Sequence, residues 1–131
     1  MSKAILDALK TRLYASTSLM TALGNRAYLD SGPVNAALPL LVYRSSGVRT
    51  TPIFGSVTRY DLDFEFQFFF NNTGTQDIHT VSALLKTALS TPLSPTGFDR
   101  ATFIREEAGA PSFTDDSWTM IETYRAIAFD T

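Results

Sequence analysis

Residues 57–71 read VTRYDLDFEFQFFFN, and from Tyr60 to Phe70 every second side chain of that segment is aromatic or leucine. The positions between them up to residue 67 are charged or polar: Arg59, Asp61, Asp63, Glu65 and Gln67. Because successive side chains of a strand point to opposite faces, this alternation gives one apolar face and one charged face. A helix would instead scatter the phenylalanines around its circumference. The segment is therefore predicted to form a long, half-buried β-strand at the centre of a sheet.

The composition is that of one globular domain spanning residues 1–131. The chain is 44% hydrophobic and 18% charged, which is enough apolar material for a core and argues against disorder. A net charge of -2 provides no basic field to hold nucleic acid, and the absence of cysteine excludes disulfides and thiolate chemistry. No apolar run could span a bilayer, and Asp7, Lys10 and Arg12 interrupt the apolar N-terminus, unlike a signal peptide. We therefore expect no membrane partner and a protein that is cytoplasmic where it is made.

Apolar side chains follow helical spacing in the N-terminal part of the chain and again after the long strand. The first helix would start at Ser2, and a short continuation at residues 19–23 would end at Gly24, which suits a left-handed cap. The later helix would follow the turn at residues 71–74. Its predicted buried stripe is Ile78, Val81, Leu84, Leu85, Ala88 and Leu89, with His79, Ser82 and Lys86 on the opposite side.

Three further strands accompany the long one. They are predicted at residues 38–44, 100–108 and 117–129, with a possible short extended piece at residues 27–29. The segment at 117–129 is apolar on both faces, so it is either central in the sheet or covered by another subunit. The predicted fold is α+β, with two helices packed on a mostly antiparallel sheet of about four main strands, in the order αββαββ.

The segment at residues 45–56, SSGVRTTPIFGS, is predicted to be a long hairpin loop because it contains two glycines, a proline and small polar residues. It also carries three apolar residues, Val48, Ile53 and Phe54. These side chains either fold back onto the domain or form an arm, Gly47 to Gly55, that docks on a partner. The candidate partner-binding residues of the arm are Val48, Arg49, Ile53 and Phe54.

Residues that would support catalysis are scarce. His79 is the only histidine and falls on the predicted outer face of a helix, and the sequence contains no phosphate-binding glycine motif. Asp61, Asp63 and Glu65 share one strand face at spacings that could suit acid–base work or a calcium ion. Any strand with one hydrated face gives the same pattern, which is the more common explanation. We therefore predict no catalytic, cofactor-binding or metal-binding residue.

Two short motifs, LGNRAY at residues 23–28 and LPLLVY at residues 38–43, follow an N-terminal helix of the type ILDALKTRL. With the long strand, the later helix and the closing pair of strands, they make most of the chain similar to the tail-terminator or tail-completion proteins of long-tailed bacteriophages. Some members of that family carry tryptophan in the long strand where this chain has phenylalanine, a difference that affects packing.

The resemblance implies a structural protein without a catalytic site. Such proteins form a hexameric ring on the last ring of tail-tube subunits, stop polymerisation and offer a surface to the head–neck complex. The implied partners are other copies of the chain, the tail-tube protein and the head–neck connector protein. DNA would pass through without specific binding, and the protein would join the virion tail in the host cytoplasm. The alternatives are another ring protein of the same particle (a neck, head-completion or tail-tube protein) and a small enzyme or ligand-binding domain.

A closed ring uses heterologous contacts, so each subunit needs two different surface patches. The sheet edge and the arm are the candidates for these patches. We expect the charged face of the long strand, Arg59, Asp61, Asp63 and Glu65, to lie against the ring's channel or against an adjoining subunit. The reason is that no histidine, cysteine or second acid cluster accompanies these carboxylates.

Overall fold

The computed structural model describes residues 2–32, 37–71, 76–114 and 117–130. Within these residues lie three helices and one sheet of six strands. In chain order the elements are α1 (Ser2–Ala15), α2 (Thr17–Leu23), β1 (Ala27–Leu29), β2 (Leu40–Pro52), β3 (Thr58–Phe70), α3 (Gln76–Ala88), β4 (Phe98–Ala108), β5 (Ser112–Thr114) and β6 (Ser117–Asp130). Most of the turn predicted at residues 71–74 lies outside the described residues.

The strands lie in the order β1-β2-β3-β6-β4, and β5 pairs with the first residues of β6. Every pair is antiparallel except β1 with β2, which is parallel. The predicted α+β class is confirmed. The sheet has six strands where about four main strands were predicted. The possible extended piece at residues 27–29 is present as β1, whereas β5 was missed because three residues are too few to produce an alternation signal.

The apolar face of β3 forms the centre of the core, as predicted. Its buried side chains are Tyr60, Leu62, Phe64, Phe66, Phe68 and Phe70. Phe66 stacks on Tyr43 of β2 with ring centroids 6.3 Å apart, and its edge meets Tyr124 of β6 at 5.2 Å. The helices cover this face with one buried cluster: Ile5, Leu9, Leu13, Leu19, Leu23, Ile78, Val81 and Leu85.

The two motifs at residues 23–28 and 38–43 lie side by side in the structure. Gly24 ends α2 in the left-handed conformation (φ 61°) that the sequence predicts. The Arg26 guanidinium donates a 2.8 Å hydrogen bond from Nε to the carbonyl of Pro39, and the Leu41 amide donates to the carbonyl of Arg26 at 2.9 Å. These bonds join the start of β1 to the start of β2, so the motifs have a structural explanation.

The prediction of a loop at residues 45–56 is wrong. Strand β2 continues to Pro52 and pairs with β3 as far as Thr58, and a shift of register between Ser45 and Gly47 accommodates one extra residue. Only residues 53–57 form the connection. The glycine and proline led to a loop prediction, whereas Val48 to Thr51 have side chains that suit an edge strand.

One prediction for α3 is also wrong. Ser82 was expected on the solvent-facing side but is 6% exposed. Its hydroxyl donates a 2.6 Å hydrogen bond to Oε2 of Glu122, which is fully buried on the core side of β6. The exposed positions of His79 and Lys86 agree with the prediction.

Strand β6 lies between β3 and β4, which confirms a central position. Its core face includes Met120, Tyr124, Ala126 and Ala128, all buried. On the other face, Ile121 is exposed and Ile127 and Phe129 are half-buried. This second face belongs to the uncovered side of the sheet.

Candidate functional site

The tip of the β2–β3 hairpin, residues 53–57, presents three apolar side chains to solvent. Phe54 is 86% exposed, Ile53 46% and Val57 37%. Two backbone hydrogen bonds close the turn: the Ile53 amide donates to the Val57 carbonyl at 2.9 Å, and the Val57 amide donates to the Phe54 carbonyl at 3.0 Å. An aromatic side chain held this far out by a closed turn is a feature of contact surfaces.

The two remaining candidate residues of the arm lie in β2 rather than at the tip. Val48 pairs with Leu62 and is 45% exposed. Arg49 faces the other side of the sheet, where Nη1 lies 2.8 Å and Nη2 3.3 Å from the two carboxylate oxygens of Asp63. The arm residues are therefore divided: Ile53 and Phe54 lie at the hairpin tip, Arg49 on the uncovered sheet face, and Val48 on the opposite face of β2.

The uncovered face of the sheet, called the open face below, carries alternating rows of opposite charge. Arg44 and Arg49 on β2 flank the acids of β3, and Arg125 on β6 flanks them on the other side. The ion pairs are Arg49–Asp63 (2.8 Å), Arg59–Asp61 (3.0 Å), Arg125–Glu106 (3.1 Å), Arg125–Asp63 (3.7 Å) and Arg44–Glu65 (3.9 Å). Sequence reasoning missed Arg44 and Arg125 and assigned Arg49 to the arm, because all three reach the acids of β3 from neighbouring strands.

These pairings leave the open face close to neutral, since four arginines meet four carboxylates there. Hydrogen bonds from Arg49, together with the positive charges of Arg49 and Arg125, hold the pKa of Asp63 below its usual range. Asp63 is thus ionised at neutral pH. Strand β3 alone would give an acidic surface, but the arginines of β2 and β6 balance the charge of its carboxylates.

Apolar side chains interrupt this network. Ile104 of β4 is 49% exposed and pairs with Arg125, and Ile121 of β6 is 42% exposed beside Gln67. Exposed isoleucines among paired charges are typical of the rim of a protein–protein contact rather than of a catalytic pocket.

A polar cluster joins α3 to the sheet beneath the core. The Glu122 carboxylate is fully buried, accepts the hydrogen bond from Ser82, and lies 3.3 Å from Nη1 of Arg105. Burial, with the negative charge of Glu122 as a second cause, raises the pKa of the neighbouring Tyr124. The cluster holds a serine and a carboxylate, but both are buried and only the Arg105 side chain reaches solvent, so we assign the cluster to the attachment of α3.

Among the described residues there is no candidate metal-binding cluster and no helix that could cross a membrane. No group of three or more histidine, cysteine, aspartate or glutamate side chains among them is placed to hold a metal ion. Similarly, none of the helices in this part of the chain is both long and apolar enough to cross a membrane.

The sequence profile of the tail completion protein gp17 family matches residues 7–112. The chain belongs to this family. The matched range contains the hairpin tip and the acids of β3, whereas Arg125 lies beyond it. No curated protein sequence matches the chain.

Solved structures with the same fold accompany this family assignment. A chain described as "Virion of native gene transfer agent (GTA) particle" superposes with a TM-score of 0.73 at 17% identity, covering 98% of this chain and 96% of that chain. A second solved chain has a TM-score of 0.68 at 15% identity, covering 98% of this chain and 95% of that chain. Membership of the tail completion family supports a structural role in a virion tail and favours a non-enzymatic protein.

Proposed function

We propose that this tail completion protein forms a hexameric ring that caps the tail tube, ends tail polymerisation and joins the tail to the head–neck complex. Its partners are other copies of itself, the tail-tube protein and the head–neck connector protein, and it joins the virion tail in the host cytoplasm. The family match over residues 7–112 carries the proposal. The fold shared with a chain of a gene transfer agent virion supports a role in a phage-like particle.

The hairpin tip supplies the first contact surface of this ring. Phe54 at 86% exposure is the most exposed large hydrophobic side chain among the described residues. Burial of one such side chain in a partner contributes about 1.5–3 kcal/mol. The tip therefore fits either the neighbouring subunit or the tail tube.

The open face supplies the second surface, against the channel or against an adjoining subunit. In a channel, its arginines would already be paired with carboxylates of the same chain. Paired arginines release few counterions on meeting phosphate, so DNA would pass without being held. This supports passage without specific binding.

The direct test is the mass of the purified protein in solution, together with negative-stain imaging with and without tail tubes. The proposal expects discrete rings and tubes of fixed length with a cap at one end. Long tubes formed by this protein alone would instead identify a tail-tube protein. A protein that stays monomeric and does not bind tubes would contradict the proposal.

We predict that Ile53→Ser with Phe54→Ser will weaken ring assembly or tube binding by about tenfold or more and leave the melting temperature unchanged. The reason is that both side chains are exposed in the isolated chain, so their loss affects only a contact. Sedimentation measures assembly and thermal unfolding measures stability. Leu29→Ser, which removes an exposed apolar side chain of β1 outside both the hairpin tip and the open face, is the matched control. A fall in stability parallel to the fall in assembly would show that the tip packs on its own domain.

We predict that Glu65→Lys will separate the two roles of the open face. Glu65 lies outside the short ion pairs, since its nearest charged partner, Arg44, is 3.9 Å away. If the face lines the channel, rings will form and retain DNA in a gel-shift assay at low salt. If the face lies at a subunit seam, rings will not form. The control is His79→Lys with Ala83→Lys, at two exposed positions of α3. Rings that form without any gain in DNA retention would leave the face an ordinary hydrated surface.

A further inference from the structure

At the level of Arg44, the two outer edges of the sheet carry opposite charges on the open face. Strand β1 pairs with β2 only from Leu41 to Tyr43, so the outer edge of β2 from Arg44 onward is uncovered by the described residues. This edge carries Arg44 and Arg49. At the other side of the sheet, the outer edge of β4 carries Glu106 and Glu107.

Arg44 and Glu107 lie at the same height along the strands. The register runs from Arg44 to Glu65, from Glu65 to Thr123, and from Thr123 to Glu107. The two residues therefore stand at opposite ends of one row on the open face. Three strand spacings separate them, about 14 Å, so they do not meet within one chain.

Both side chains are available to a partner. The Arg44 side chain is 41% exposed, and its contacts are long: 3.9 Å to Oε1 of Glu65 and 3.5 Å to Oε1 of Gln67. Glu107 is exposed, and its side chain has no hydrogen bond or ion pair to another described residue. Glu106, by contrast, is held by Arg125 at 3.1 Å.

We propose that the β2 edge of one copy lies beside the β4 edge of the next, with Arg44 paired to Glu107 of the neighbouring copy. The proposal rests on the ring described above and identifies the surfaces that close it. A rotation about an axis along the strands keeps residues at equal height, so this single pair repeats at every junction. The alternation of positive and negative strands then continues from one subunit to the next.

The hairpin tip fits the same arrangement. Asp130, at the end of β6, accepts a hydrogen bond from the Thr58 amide at 2.7 Å and pairs with Phe98, the first residue of β4. The tip and the segment 93–98 are thus at one end of the sheet, on opposite sides of the subunit. A groove of about 840 Å³ lies between that segment and α1, and Arg12 fixes its wall with a 2.8 Å bond to the Thr91 carbonyl. Side-by-side edges bring the uncharged tip of one copy toward this groove of the next.

Charges on edge strands can also have a different role, which is to prevent aggregation. This role predicts a different arrangement of charges from the one expected at a subunit contact. Charges that only protect would repel other copies, which requires the same sign on both edges. Opposite signs at equal height attract a second copy instead. The signs on Arg44 and Glu107 therefore favour a contact over protection.

The test mixes two charge-reversed proteins, Arg44→Glu and Glu107→Arg. Each alone places like charges at every junction, so we expect the concentration for half-assembly to rise about tenfold or more. Mixed in equal amounts, they can alternate around a ring of even number, and every junction then has one acid and one arginine. We expect the mixture to form rings as the wild type does. Recovery cannot come from within a chain, since each chain keeps its own substitution.

Other outcomes separate this proposal from the proposed function. The Arg44–Glu107 contact is wrong if each variant alone assembles as the wild type does. It is also wrong if the mixture does not assemble while both proteins keep the wild-type melting temperature. In both cases the proposed ring itself is not contradicted. A wild type without rings overturns both. Should a variant fail to fold, Arg44→Cys with Glu107→Cys in this cysteine-free chain gives the same answer. Oxidation is expected to yield a ladder of cross-linked multimers, and the absence of multimers from assembled rings would overturn the contact.

Discussion

Replacing Phe66 with alanine is expected to lower the free energy of unfolding by about 3–5 kcal/mol, the range for removing a buried aromatic side chain. Phe66 is fully buried at the centre of β3, and its ring contacts Tyr43 on one side and Tyr124 on the other. Its loss would leave a cavity that rings on two other strands cannot fill. Chemical denaturation of the purified protein measures the change.

Phe69→Ala is the matched control for this prediction. Phe69 stands on the same strand but on the open face, where it is half-buried and pairs with Thr119. We expect it to cost less than half as much as the change at Phe66. Equal costs for the two variants would mean that the open face is covered as thoroughly as the core.

Replacing Arg105 with methionine is expected to destabilise the protein by about 3 kcal/mol, because it leaves the fully buried carboxylate of Glu122 without its counter-charge. The Ser82 hydroxyl would remain as the only side chain bonded to that carboxylate among the described residues. Adding Glu122→Gln removes the buried charge, so the double variant should recover most of the lost stability.

The control for this second prediction is Arg100→Met, at an exposed arginine of the same strand. It should change stability by less than about 0.5 kcal/mol, as surface substitutions usually do. A double variant no more stable than Arg105→Met alone would show that Arg105 stabilises the fold through its packing rather than through its charge.

The core could be predicted from the sequence because a single strand, β3, supplies most of the apolar alternation that identifies it. From Tyr60 to Phe70 the alternation identified every buried side chain of β3. The same method failed for Ser82, because its buried partner, Glu122, stands 40 positions away in the chain. Pair contacts between distant residues leave no periodic signal in a single sequence.

The candidate site was predicted only in part for a related reason. Exposure of Ile53 and Phe54 follows from their place in a turn, which the predicted loop at residues 45–56 contains although it starts too early. The partners of Asp63 could not be identified, because Arg49 and Arg125 reach it only through the register of two different strand pairs. A shift of one residue in either register would have moved those arginines to the opposite face. Register depends on tertiary packing, which the sequence does not display.

The central position of β6 also has a consequence for how the chain folds. Strand β3 is joined to one neighbour, β2, by a short hairpin. Its other neighbour, β6, is separated from it in the chain by α3, β4 and β5. Pairings between such distant segments slow folding to the range of milliseconds to seconds. During that time the most aromatic strand of the protein has one open edge, which is the kind of edge on which chains aggregate. The hazard of aggregation for this chain therefore lies in the folding period rather than in the native state.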